Sequence, residues 1–101
     1  MERYSLNEKA DDDLDRLFDY GIDHFGLAHA RAYMLGLIER FEEIGKHPLQ
    51  YRQVNEIREG YRRSVYRSHS IYYRIDSDTV EIMRILGRED PELQLDELSE
   101  D

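Results

Sequence analysis

Two stretches of helical periodicity follow one another with little more than a glycine between them, and this junction limits the possible folds more than any other feature. Ala10, Leu14, Leu17, Phe18, Gly21 and Phe25 recur at helical spacing, with Asp12, Asp15, Arg16, Asp19 and Asp23 mostly on the opposite face. Asn7 precedes Glu8 and the run Asp11 to Asp13, a capping side chain followed by carboxylates that suit the partial positive charge of a helix N-terminus. Gly26 is the expected stop. Ala30, Met34, Leu37, Phe41 and Ile44 then repeat on one helical face until Gly45-Lys46-His47-Pro48, where proline bars continuation. Two long helices joined so closely must turn back as an antiparallel hairpin.

Beyond the hairpin the period changes. Residues 49–60 carry no helical pattern and end in Gly60, which reads as a loop or a short extended segment. Tyr61, Arg63 and Val65 then alternate with Arg62, Ser64 and Tyr66, and His69, Ile71, Tyr73 and Ile75 alternate with Ser70, Tyr72 and Arg74. After the turn residues Asp76-Ser77-Asp78, Val80, Ile82, Arg84 and Leu86 alternate with Glu81, Met83 and Ile85. These are three strands of an antiparallel meander, and the third, apolar on both faces, suits a central position. In the first two strands, His69, Ile71, Tyr73 and Ile75, together with Val65, are expected to point inward. Tyr4 and Leu6 mark a weak N-terminal strand. The expected class is α+β: an N-terminal strand, an antiparallel helical hairpin, then a three-stranded antiparallel sheet.

One domain accounts for the 101 residues, placed at 1–90, with an acidic tail at 91–101 that is either a short helix or disordered. The chain has no cysteine, which excludes disulfides and thiolate metal sites. The stretch MERYSLNEKADDD lacks an apolar signal core and no run reaches membrane-spanning length, so a cytoplasmic protein is expected. The formal net charge of −9 argues against general binding of polyanions. Yet between residues 50 and 75 Arg52, Arg58, Arg62, Arg63, Arg67 and Arg74 stand against only Glu56 and Glu59.

Aromatic, basic and imidazole side chains in that region (His69, Tyr66 or Tyr73, and the arginines) are the types that RNA cleavage through a 2′-hydroxyl requires. His69, however, is in phase with apolar neighbours, as a structural histidine would be, and the tyrosines suit an amphipathic sheet. The arginines are harder to explain as a solvated face, because no lysine follows Lys46. Arginine alone suits bidentate contacts and stacking at an interface. About half of them are expected to pair with local acids such as Glu56, Glu59 and Glu81, and the rest to contact a partner. The carboxylates at 11, 12, 13, 15, 19 and 23 lack a ligand loop and read as a solvated face. His24 and His29 straddle the hairpin turn without a ligand pattern. No cofactor or metal is expected.

The order of these elements, and several words within them, resemble the ParE branch of the RelE/ParE toxins of bacterial toxin–antitoxin pairs. The words are YSLNEKADDDLDRLFDYGIDHFG, ARAYMLGLIERFEEIGKHP, NEIREGYRRSVYRSHSIYYRI and VEIMRILGREDP, covering roughly residues 3–91. The central phrase, Ile57-Arg58-x-Gly60-Tyr61-Arg62 followed by Ser68-His69-x-x-x-Tyr73-Arg74, is the most specific. The resemblance implies a RelE-like twisted antiparallel sheet and a non-enzymatic toxin that poisons DNA gyrase. It also implies a ParD-like antitoxin that wraps the toxin in a hetero-oligomer, and direct nucleic-acid binding is not expected. Many such sequences carry histidine directly after the last strand's leucine; here Leu86-Gly87-Arg88 removes that acid–base candidate. Two other readings stand beside this one, a ribosome-dependent mRNA endonuclease of RelE type and a decayed, non-toxic antitoxin-binding module.

Target contact is expected at Arg58, Arg62, Arg63, Arg67, Arg74, Arg84 and Arg88. Ile22, Leu27, Tyr33, Leu35 and Ile38 remain on the hairpin beyond a single apolar stripe. They either complete the core or form a second packing surface for the antitoxin. No catalytic residue is assigned.

Overall fold

The computed structural model describes residues 3–87. Strand β1 (Tyr4–Leu6) leads into helices α1 (Glu8–Phe25) and α2 (Leu27–Lys46), a short 3-10 turn (Pro48–Gln50), and strands β2 (Arg52–Gln53), β3 (Tyr61–Tyr66), β4 (His69–Asp76) and β5 (Thr79–Gly87). The α+β order expected from the sequence is the one observed. The expected boundary at residue 90 and the acidic tail lie outside the described residues, as does Arg88.

Asn7 caps α1 through its side-chain oxygen, which accepts from the Lys9 amide at 2.9 Å. Gly26 closes α1 and opens α2 at φ 91°, a conformation costly for any residue with a Cβ. The hairpin closes tightly because Gly21 faces Ala30: a Cβ on Gly21 would lie 3.1 Å from the Ala30 Cβ.

The sheet has five strands in the order β1-β5-β4-β3-β2. The β3–β4–β5 meander is antiparallel, and β1 adds parallel to the far edge, pairing Tyr4 with Val80 and Leu6 with Ile82. The segment read as loop or short extension supplies β2, which pairs Arg52 with Arg63 and Gln53 with Arg62. One face of the sheet packs on the hairpin, burying Ala10, Leu14, Leu37, Phe41 and Ile44 against Ile71, Tyr73, Val80, Ile82 and Ile85. On the other face Val54, Tyr61, Tyr72 and Leu86 form a smaller cluster with Ile57 and Met83 against it.

Two sequence expectations about facing change here. The register between β4 and β5 shifts between Tyr72 and Tyr73, pairing them with Arg84 and Ile82 and leaving Met83 as an extra residue. Such a bulge reverses the alternation beyond it, so Ile85 joins the helix-side core while Leu86 joins the opposite cluster. Val65 is exposed rather than inward, because β3 meets β4 with Ser64 opposite Ile71 and Val65 opposite Ser70.

Candidate functional site

A groove of about 1300 Å³ opens between the hairpin and the end of the sheet where β3 turns into β4. Its apolar lining comes from Leu17, Tyr20 and Phe25 of α1, Tyr33 and Met34 of α2, and Ile85 of β5. Arg16 and Arg67 add cations, and Tyr66 and His69 add the strand ends. The Tyr33 hydroxyl joins the layers, lying 2.7 Å from His69 Nδ1 and donating to the Tyr66 carbonyl at 3.3 Å. The Tyr33 ring meets those of Tyr66 and His69 at 5.3 and 5.6 Å, tipped edge to face. Tyr20 and Phe25, at 57 % and 64 % exposure, present large apolar surface at the rim.

The arginines expected to act together are divided among four places. Arg63 stands opposite Tyr72 and Arg74 opposite Tyr61, so both lie on the sheet face away from the helices. Arg58 reaches that face through the Tyr61 ring, 5.9 Å from its centroid. Arg74 grips Glu81 Oε1 through Nε and Nη2 at 3.0 and 2.8 Å, a local pairing of the kind expected. Burial raises the Glu81 carboxyl, but bonds from Arg74 and Asn7 outweigh it and hold the group below its ordinary range. Arg67 takes a positive φ of 53° in the β3–β4 turn, beside the groove and over the Tyr66 ring.

Arg62 faces the helix side, where Nη1 donates to the carbonyls of Tyr51 at 2.6 Å and Leu49 at 3.4 Å. Arg84 corrects the expectation of target contact. It is buried, and its Nε and Nη2 reach Asp13 Oδ2 and Oδ1 at 2.8 and 2.9 Å. Asp13 also leaves the solvated face assigned to it. It is buried and accepts from the Ile85 amide at 3.0 Å, with Arg16 as a further partner. Strand β1 pairs β5 only as far as Ile82, so the Asp13 carboxylate satisfies an edge amide that no strand reaches. The signal was present in the sequence: Asp13 lies three residues after Ala10 and four before Leu17, on the apolar face.

Of the residues expected at an antitoxin surface, Tyr33 lines the groove. Ile22 is half-buried on α1, while Leu27, Leu35 and Ile38 are exposed on α2 outside the groove. Leu17, Phe25, Met34 and Arg16, expected from the sequence only on helix faces, and Tyr20, for which no role was expected, also line it.

Of the groups suited to cleavage chemistry, Tyr66, His69 and Arg67 line the groove, whereas Tyr73 is held inside the fold. Burial, with a smaller opposing effect of Arg62, pushes the Tyr73 hydroxyl up to about 12, and it donates to the Pro48 carbonyl. It therefore stays protonated at neutral pH. Among the described residues no three His, Asp or Glu side chains converge as metal ligands, and no helix is long and apolar enough to cross a membrane.

Residues 4–91 match the family model described as the ParE toxin of the type II toxin–antitoxin system parDE. The chain is 35 % identical over 86 residues to the toxin ParE1 of Caulobacter vibrioides, covering 85 % of this chain and 88 % of that one. It is 31 % identical over 85 residues to the toxin ParE1 of Mycobacterium tuberculosis, covering 83 % and 87 %. A solved structure described as the chromosomal ParDE system from P. aeruginosa superposes with a TM-score of 0.78 at 21 % identity, over 88 % of this chain and 98 % of that one. At that identity the superposition speaks for the fold.

Proposed function

We propose a function from one premise: the chain belongs to the ParE toxin family of type II toxin–antitoxin systems. In this reading the toxin works in the cytoplasm by binding and poisoning DNA gyrase, and a ParD-like antitoxin neutralises it in a hetero-oligomeric complex.

The observation that carries the antitoxin half is the groove, whose apolar wall and rim are edged by Arg16 and Arg67. An amphipathic segment with acidic flanks fits that chemistry. Tyr33 is its central polar contact, and Tyr20 and Phe25 are its exposed anchors. Arg58, Arg63 and Arg74 on the open sheet face, with Arg67 at the turn, form the surface assigned to the target. Arg62 and Arg84, bonded inside the fold, are left out of it. The net charge of −9 favours a protein contact over direct binding to nucleic acid.

Action by binding rather than bond cleavage is supported by two of the residues suited to cleavage chemistry. Arg62 is held by backbone carbonyls, and the Tyr73 hydroxyl is committed to the Pro48 carbonyl inside the fold. Assays of gyrase supercoiling with purified toxin, with and without antitoxin, test the proposal. Inhibition relieved by antitoxin supports it, and toxin-dependent cuts in translated mRNA with gyrase unaffected would replace it with the endonuclease reading.

A further inference from the structure

Arg31, Leu35, Ile38 and Glu42 are all exposed and follow one another at spacings of four, three and four, so they form one stripe along α2. The stripe lies outside the groove and away from Ala30, Leu37, Phe41 and Ile44, which face the core. Leu35 is 57 % and Ile38 36 % exposed.

The charges on this stripe run against the helix that carries them. A helix favours acidic groups near its N-terminus and basic groups near its C-terminus. In α2 no acidic residue occupies the first turn, Arg31 lies toward the N-terminal end, and Glu42 lies toward the C-terminal end. Neither has an ion-pair partner among the described residues. Eleven residues apart, about 16 Å along the axis, they are too distant to meet within one chain.

We propose that this stripe is an interface with a second copy of the chain, in which the two α2 helices pack antiparallel. In the register that centres the apolar pair, Leu35 of one copy packs on Ile38 of the other, and Arg31 of one meets Glu42 of the other. Two-fold symmetry repeats both contacts, giving an apolar centre bounded by an ion pair at each end. Each misplaced charge then lies beside the opposite end of the neighbouring helix. The pattern is self-complementary, and this is what favours a second copy over an unrelated partner. A contact confined to one helix face is small, so the dimer forms with rising concentration rather than permanently. The groove stays open in it, and the inference does not depend on the proposed target or antitoxin.

Sedimentation velocity on the full chain across the micromolar range tests the inference. The expected result is a mass rising from monomer toward dimer. Leu35→Glu should keep the chain monomeric with unchanged circular dichroism. Arg31→Glu and Glu42→Arg should each weaken association about tenfold, and the double variant should regain it, because swapped charges meet only across the interface. Since the native chain has no cysteine, a mixture of Leu35→Cys and Ile38→Cys chains should also form a disulfide-linked dimer on mild oxidation. A monomer at every concentration, or a double variant as weak as the singles, would overturn the proposal. Loss of antitoxin binding by a monomeric Leu35→Glu chain would assign the stripe to the antitoxin and overturn it equally.

Discussion

Arg84 and Asp13, seventy-one residues apart in sequence, form a buried two-point contact that ties the first helix to the last strand just beyond its bulge. The same carboxylate takes the Ile85 amide, so one side chain closes both the ion pair and the open strand edge. Asp13→Asn should destabilise the fold by about 3–5 kcal/mol, because Arg84 keeps its charge without a compensating carboxylate. Arg84→Met should cost less, since Asp13 retains the Ile85 amide and Arg16. Urea denaturation of the two variants measures the asymmetry; equal losses would contradict it.

The Tyr66 hydroxyl lies against the backbone of α2 at Gly36, where an added Cβ would come within 1.8 Å of it. Gly36→Ala should therefore lower stability by about 1–3 kcal/mol despite the gain in helix propensity. Removing the hydroxyl with Tyr66→Phe in the same chain should recover part of the loss. Thermal melts of the single and double variants read this directly.

Tyr73 sets an alkaline limit. Its folded value of about 12 lies above the ordinary 10.0, so the unfolded chain loses this proton first as pH rises. The stabilisation is complete below pH 10 and is lost as pH climbs toward 12. Tyr73→Phe should flatten the fall in stability over that window, although the lost bond to Pro48 lowers the starting value. An unchanged slope would contradict the assignment.

Glu81 acts at the opposite limit. Its folded value is depressed by Arg74 and Asn7 despite partial burial, so its contribution is present above the unfolded value of about 4.5 and lost as pH falls through the folded one. Glu81→Gln should make the acid limb of the stability profile shallower, and most visibly at low salt.

Most of the architecture was legible because its signals are local. Asn7 by its capping side chain, and Gly26 and Pro48 by their backbone chemistry, punctuate the helices, and the change from a helical to a two-residue period marks the sheet. The bulge at Met83 was not legible. It depends on how β5 meets β4, and so the facing of Ile85 and Leu86 could not be read from alternation alone. The arginine cluster misled for a related reason: a list of cations does not reveal which of them a fold turns inward. Arg62 and Arg84 serve backbone carbonyls and a buried carboxylate, and of the cluster's described residues Arg58, Arg63, Arg67 and Arg74 remain near the proposed contact surfaces. Asp13 was readable in principle, since an acid in phase with Ala10 and Leu17 asks for a buried cation.

The most direct measurement is the amount of covalent gyrase–DNA complex trapped as toxin is titrated into a supercoiling reaction. The expected result is a dose-dependent rise for the native chain, abolished by antitoxin and reduced about tenfold or more by an Arg63→Glu/Arg74→Glu variant that still folds. Gyrase turning over normally at large toxin excess, with no trapped complex, would contradict the proposed function.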